Sequence, residues 1–258
     1  VLGMTGYALP QVMLISEHGG FRDDLTNNSN QRSSFDQVYR RTAHEVAHQW
    51  WGHGLNGADQ EGGAILVETL AKYTELVLLE QKYGREYVRK LLKHEHQRYF
   101  FGRARSSENE LPLYRANANH LIYSKGAVAM YALKEALGEA VINQALRQIM
   151  NHHAYPKPPA TTLDLIEALK TFSQPTQERL VDLWFKDIEI NDLSIFKTSM
   201  GSCFNCAKDE YPVPKSSIEM RIPAARNNFS SSIVCCGCSM MADSVISNSN
   251  NSKGRPLS

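Results

Sequence analysis

The chain has 258 residues and a mass of 29.0 kDa, enough for one domain with a sizeable core, or one domain with an appendage, and short for a multidomain enzyme. Its 28 Lys and Arg against 27 Asp and Glu leave a net charge of +1, which excludes the global field that draws in nucleic acid or anionic lipid. No apolar run approaches the roughly 20 residues of a membrane helix, and the first residues lack the order of a signal peptide, so the chain reads as soluble, with its location unassigned. It starts at Val1 inside a strand-like pattern, which reads as a fragment of something longer.

Residues Tyr7 to Ile15 are apolar and bounded by Gly6 and the Gly19-Gly20 pair, as suits a single strand. A polar stretch from Asn27 to Ser34 reads as a loop, with Ser34 placed to cap a helix that starts near Phe35 and is ended by Gly52 and Gly54. A second helix is predicted from about Ala64 to Tyr83, where Leu66, Leu70, Tyr73, Val77 and Glu80 recur at three- and four-residue spacing, and Gly84 closes it. Further helices are expected over Arg85 to Phe101, Lys125 to Leu137, Ala140 to His153, Leu163 to Phe172 and Gln177 to Asp187. Thr161 and Asp164 form a capping-box start for the fourth of these. Helix dominates to about residue 190, so the fold class is mainly α. After Ile195 the composition changes: Asn227 to Ser258 holds nine Ser and five Asn in 32 residues without periodicity, which predicts a poorly ordered tail. The domains expected are 1–195, carrying the chemistry, and 196–258.

His44-Glu45-Val46-Ala47-His48 falls on the first predicted helix. Histidines four apart lie one turn above each other on one face, so both imidazoles can reach a single metal ion at about 2.0–2.1 Å. A catalytic zinc needs a third protein ligand and an open position. Glu68, twenty residues past His48 on the next helix, would complete a His2Glu shell of the kind that activates water. Glu61, Glu75 and His53 are the alternatives for that third position. Glu45 lies about 100° round the helix from His44, able to face the attacking water without binding the metal, and so to act as general base.

The run from His44 to Gly52, followed by Glu68-Thr69-Leu70-Ala71-Lys72-Tyr73-Thr74-Glu75, resembles the membrane alanyl aminopeptidase family of gluzincin zinc metallopeptidases, which writes the second segment Glu-Gly-Phe-Ala-x-Tyr-x-Glu. Tyr123-Ser124-Lys125-Gly126 is similar to that family's Tyr-x-Lys-Gly. The resemblance covers roughly residues 5–190 and comes nearest to a bacterial subgroup fused to membrane permease segments. It implies the helical part of a thermolysin-like zincin catalytic domain, N-terminally truncated, with a residual edge strand. It also implies one Zn2+ per chain, a peptide substrate, and a permease segment in a membrane-associated parent. Tyr123, just ahead of a helix, would donate its hydroxyl to the oxyanion.

The chain departs from the family pattern in places. Gln49 to Val67 makes nineteen residues between the second His and the Glu, where the family has eighteen and thermolysin-like endopeptidases have nineteen. Gly6-Tyr7-Ala8-Leu9-Pro10 maps onto the family's Gly-x-Met-Glu-Asn strand, so Ala8 stands where a Glu should hold the substrate's free amine, and Glu17 is the nearest carboxylate in sequence that could substitute. All five cysteines lie in the tail, as Cys203-x-x-Cys206 and Cys235-Cys236-Gly237-Cys238, a pattern open to a zinc ribbon, a disulfide or adventitious thiols. The function expected is zinc-dependent peptide hydrolysis of aminopeptidase type. An endopeptidase and a non-catalytic peptide-binding module are the alternatives.

Overall fold

A computed structural model of the protein describes residues 6–16 and 35–188. Ser34, Glu17 and the cysteine-bearing tail, with the expectations attached to them, lie outside those residues.

Where the apolar run predicts one strand, two short ones form: β1 (Gly6–Leu9) and β2 (Val12–Ile15), paired antiparallel with Gly6 opposite Ile15 and Leu9 opposite Val12. Pro10 presets the first turn residue, and Gln11 takes up a left-handed backbone at φ 63°. Gln49 clamps this turn, its amide oxygen accepting from the Gln11 N–H at 2.7 Å and its amide nitrogen donating to the Leu9 carbonyl at 2.9 Å.

Helix α1 (Gln37–Ala47) starts two residues later than the sequence suggests, because Asp36 is the cap: its backbone is extended and its carboxylate accepts the Tyr39 N–H at 2.8 Å. The helix stops at Ala47, with His48 as its C-cap, earlier than Gly52 would place the end. The chain then runs through an irregular loop held by backbone bonds to a distant segment: Ala58 N–H to the Ala160 carbonyl (2.7 Å), Ala160 N–H to the Asn56 carbonyl (3.2 Å) and Tyr155 N–H to the Gly54 carbonyl (2.9 Å). These contacts fix the loop that joins the two motif-bearing helices.

A π-helical turn, Ile65–Thr69, leads without a break into α2 (Leu70–Tyr83), and a second, His120–Lys125, leads into α4 (Gly126–Leu137). Between them lies α3 (Arg85–Arg105). A π turn holds one residue more than an α turn, which is how a helix absorbs a one-residue insertion. The first turn falls at the end of the nineteen-residue stretch, Gln49 to Val67, that separates His48 from Glu68. The two turns are stitched together by the Thr69 hydroxyl, which donates to the Ile122 carbonyl, and Gly126 makes this approach feasible, since a Cβ there would sit 2.5 Å from Thr69 Oγ1.

Helix α4 is the centre of the core. Every residue from Gly126 to Lys134 is buried, and it packs on α2, α3, α5 (Glu139–His153) and α7 (Glu178–Phe185). Such all-round burial is what a run as apolar as Gly-Ala-Val-Ala-Met-Tyr-Ala-Leu demands. Helix α6 (Thr162–Phe172) packs between α5 and α7, opening with the expected capping box at Thr161 and Asp164. Among the described residues no helix is long and apolar enough to cross a membrane.

Candidate active site

His44 and His48 project from the last turn and cap of α1 toward the π turn that precedes α2. Their Nε2 atoms lie 3.3 and 3.5 Å from Glu68 Oε2, and the two rings meet edge to face with centroids 4.7 Å apart. Among the described residues one set of three metal-competent side chains comes together, His44, His48 and Glu68, with donor atoms all within 4.8 Å of one another. Tetrahedral ligands at about 2.0–2.2 Å from zinc stand about 3.3–3.6 Å apart. The two separations to Glu68 match that edge, and Glu68 Oε2 is buried without a hydrogen bond, so the donor set fits a zinc ion.

The other sequence candidates for the third ligand are engaged elsewhere. Glu61 pairs with Arg115 at 2.6 Å, His53 Nε2 lies 3.2 Å from the Ala8 carbonyl on β1, and Glu75 binds Lys72 at 2.8 and 2.9 Å and Arg40 at 2.9 Å. Glu75 still serves the site from behind, with Oε2 at 3.7 Å from His44 Nδ1. His48 is held more firmly: Nδ1 is 2.9 Å from the Trp51 carbonyl, which can only accept, so Nδ1 carries the proton and Nε2 presents its lone pair.

Glu45 is buried against β1. A Cβ on Gly6 would fall 2.2 Å from Glu45 Oε1 and 2.7 Å from its carboxyl carbon, so the strand passes directly over the carboxylate and only a glycine fits. Burial raises the Glu45 carboxyl above its usual range, against the pull of His44 and His48. Glu68 moves the other way: burial opposes its ionisation, but the close approach of His44, His48 and Tyr123 outweighs this and holds it far below the usual carboxylate range. Two carboxylates in one cleft are thus driven apart in character.

The sequence places Tyr123 just ahead of a helix, and the structure places it inside the second π turn. The half-buried hydroxyl sits beside Glu68, and burial together with that carboxylate raises its pKa, so it stays protonated and able to donate. Its ring is tilted over His44 at a centroid distance of 6.0 Å. The stitch from Thr69 to Ile122 joins the residues next to Glu68 and Tyr123, so the two side chains are positioned as a pair. All of these groups line one cleft of about 660 Å³, with Gly6, Tyr7 and Ala8 on one wall and Arg41, Asn56 and Asn119 among the rest. Arg41 and the close approach of Gly6 are features that the motif spacing does not reveal.

Residues 22–185 match the family model for the peptidase family M1 domain. A curated relative, the mitochondrial aminopeptidase 2 of Saccharomyces cerevisiae, is 28% identical over 183 residues, which is 66% of this chain and 19% of the yeast protein. Among solved structures, the M1 zinc metallopeptidase of Deinococcus radiodurans is similar at 26% identity with a TM-score of 0.49. A glutamate-to-alanine mutant of it is similar at 24% identity with a TM-score of 0.50, and the same mutant has been crystallised with a Tyr-Ser-Ala substrate (25% identity, TM-score 0.49). Each of these covers 60% of this chain and 34% of the Deinococcus chain. The chain thus spans about a fifth of the yeast relative and about a third of the bacterial one.

Proposed function

This chain belongs to peptidase family M1, and we propose accordingly that it hydrolyses peptide bonds as an aminopeptidase, with one zinc ion held by His44, His48 and Glu68. The observation that carries this reading is the convergence of the two imidazoles on Glu68 Oε2 at 3.3 and 3.5 Å, the spacing of ligands around zinc. The curated aminopeptidase relative supports the reaction class. When bound, the zinc would polarise the scissile carbonyl and lower the pKa of the attacking water toward about 7.

The chain's own residues supply the rest. Glu45 takes the proton of the attacking water on its carboxylate and delivers it to the leaving amine, a double duty that peptide hydrolysis requires. Tyr123 donates its hydroxyl to the oxyanion, an interaction that matters mainly once charge has developed. Trp51 keeps the His48 proton on Nδ1, and Gly6 lets β1 close over Glu45 and shield it from bulk water.

A second reading is favoured by one observation. Among the described residues the cleft carboxylates are Glu45, Glu68 and Glu75, the first two engaged in the chemistry and the third held by Lys72 and Arg40, while Ala8 offers no charge to a substrate amine. An endopeptidase needs no such group. Hydrolysis of an alanine anilide by the zinc-loaded protein, run beside an N-blocked, internally quenched peptide, decides: free-amine dependence supports the aminopeptidase, cleavage of the blocked peptide alone the endopeptidase, and turnover of neither overturns both. We read residues 6–188 as the zinc-holding, helical portion of a larger catalytic domain. The kinship with permease-fused bacterial proteins rests on sequence resemblance alone.

A further inference from the structure

The wall of the cleft along α1 and α3 carries more positive charge than its partners neutralise. Arg40 pairs with Glu75 at 2.9 Å and Glu95 at 3.4 Å, Lys72 with Glu75 at 2.8 Å and Glu95 at 3.2 Å, and Arg98 with Glu95 at 3.2 Å. Three cations therefore share two buried carboxylates. Arg41 adds a fourth. It lies one helical turn before Glu45, lines the same cleft, is half-buried, and makes no hydrogen bond or ion pair among the described residues. A guanidinium taken partly out of water loses hydration, and the charges of Glu75 and Glu45, neither in hydrogen-bonding contact with it, offset that loss and the repulsion of Arg40 only in part. Its five donors in a planar fork match a carboxylate.

Among the described residues the remaining charges of the cleft leave Arg41 without a paired carboxylate. Glu45 and Glu68 are committed to the chemistry, and a divalent cation would balance them. The opposite wall, Gly6, Tyr7 and Ala8, bears no charge. We propose that Arg41 recognises a carboxylate of the substrate, so that the cleft selects peptides carrying an acidic side chain or a free C-terminus close to the scissile bond. The inference rests on the peptidase reading and names its substrate class.

Two matched pairs separate the sources of the carboxylate: Ala-Ala-Ala against its C-terminal amide, and Ala-Glu-Ala amide against Ala-Gln-Ala amide. The expected result is a preference of about tenfold or more in kcat/KM for the carboxylate member of at least one pair, carried mainly by KM, as for one charge-assisted hydrogen bond. The pair that shows it identifies the source. Arg41→Met should bring that ratio close to one, and Arg41→Lys, which keeps the charge and loses the fork, should retain part of it. Circular dichroism melts of both variants establish that they fold. Ratios within twofold of one in both pairs for the wild-type protein overturn the proposal, while turnover of the neutral amides leaves the peptidase reading intact. Should none of the four be cleaved, the peptidase reading fails, and calorimetric titration of the same peptides into zinc-loaded Glu45→Gln decides the proposal by itself. Equal affinities within each pair overturn it, and tighter binding of a carboxylate member supports it.

Discussion

Replacing Gly6 by alanine tests the placement of the proposed base without touching it. The added Cβ would stand 2.2 Å from Glu45 Oε1, 2.7 Å from Cδ and 3.0 Å from Cγ, where ordinary contacts begin at 3.4 Å. The carboxylate, or the strand above it, must therefore give way by about 1.2 Å. A misplacement near 1 Å at a reacting group costs on the order of a hundredfold in rate. The hairpin's far end is tied by Gln49 to the turn that follows α1, so the strand cannot simply lift away there. Zinc binding should be untouched, because the three atoms nearest the new methyl group all belong to Glu45, which is not a ligand. The expected outcome is a loss of about 10²-fold in kcat on an amino-acid anilide, with unchanged zinc content and a melting temperature within a few degrees of wild type. A Gly6→Ala enzyme with kcat within threefold of wild type would refute the claim that β1 covers the base.

Glu45→Gln should keep the metal and lose at least about a thousandfold in turnover, because the same carboxylate accepts one proton and delivers another; elemental analysis and an anilide assay on one preparation check both halves. Tyr123→Phe should lower kcat by about 10²–10³ with little change in KM, whereas an unchanged kcat would remove this hydroxyl from the mechanism. His96 provides a pH test of the fold. Burial pushes it down to about 4 from 6.5, so between those values the unfolded chain binds a proton that the folded chain refuses. Its contribution to stability is complete above about pH 6.5 and is lost as the pH falls toward 4. Urea unfolding at pH 7 and pH 4.5 should show wild type losing about 2–3 kcal/mol more than His96→Gln, and equal losses would contradict the assignment.

The four-residue spacing of His44 and His48 makes their shared face readable from sequence, since any α-helix brings such a pair together. Glu68 is less determined. Glu61, Glu75 and His53 are chemically equivalent candidates, and only tertiary contacts separate them: Arg115 takes Glu61, the Ala8 carbonyl engages His53, and Lys72 with Arg40 occupies Glu75. The two π turns leave no mark in composition, because a π turn differs from an α turn in hydrogen-bond register and not in residue type. They nevertheless carry Glu68 and Tyr123.

Local chemistry explains the other differences. An apolar run from Tyr7 to Ile15 reads as one strand until Pro10 and Gln11 are recognised as a turn. The cap of α1 falls to Asp36 because its carboxylate reaches the Tyr39 N–H. The early end of that helix at Ala47 leaves His48 in a cap, where its Nδ1 can meet the Trp51 carbonyl, a contact that an uninterrupted helix to Gly52 would have forbidden. Arg41 is legible only in three dimensions, since its lack of a paired carboxylate among the described residues is a property of the cleft and not of its neighbours in sequence.

Zinc titration of the chelator-stripped protein, followed by anilide hydrolysis, tests the central claim most directly. Activity should rise linearly to a plateau at one equivalent of zinc in the wild-type chain and stay at background throughout in His48→Ala, whose site keeps only His44 and Glu68. A plateau at another stoichiometry, full activity in His48→Ala, or no turnover at any zinc concentration would contradict a single catalytic zinc held by His44, His48 and Glu68.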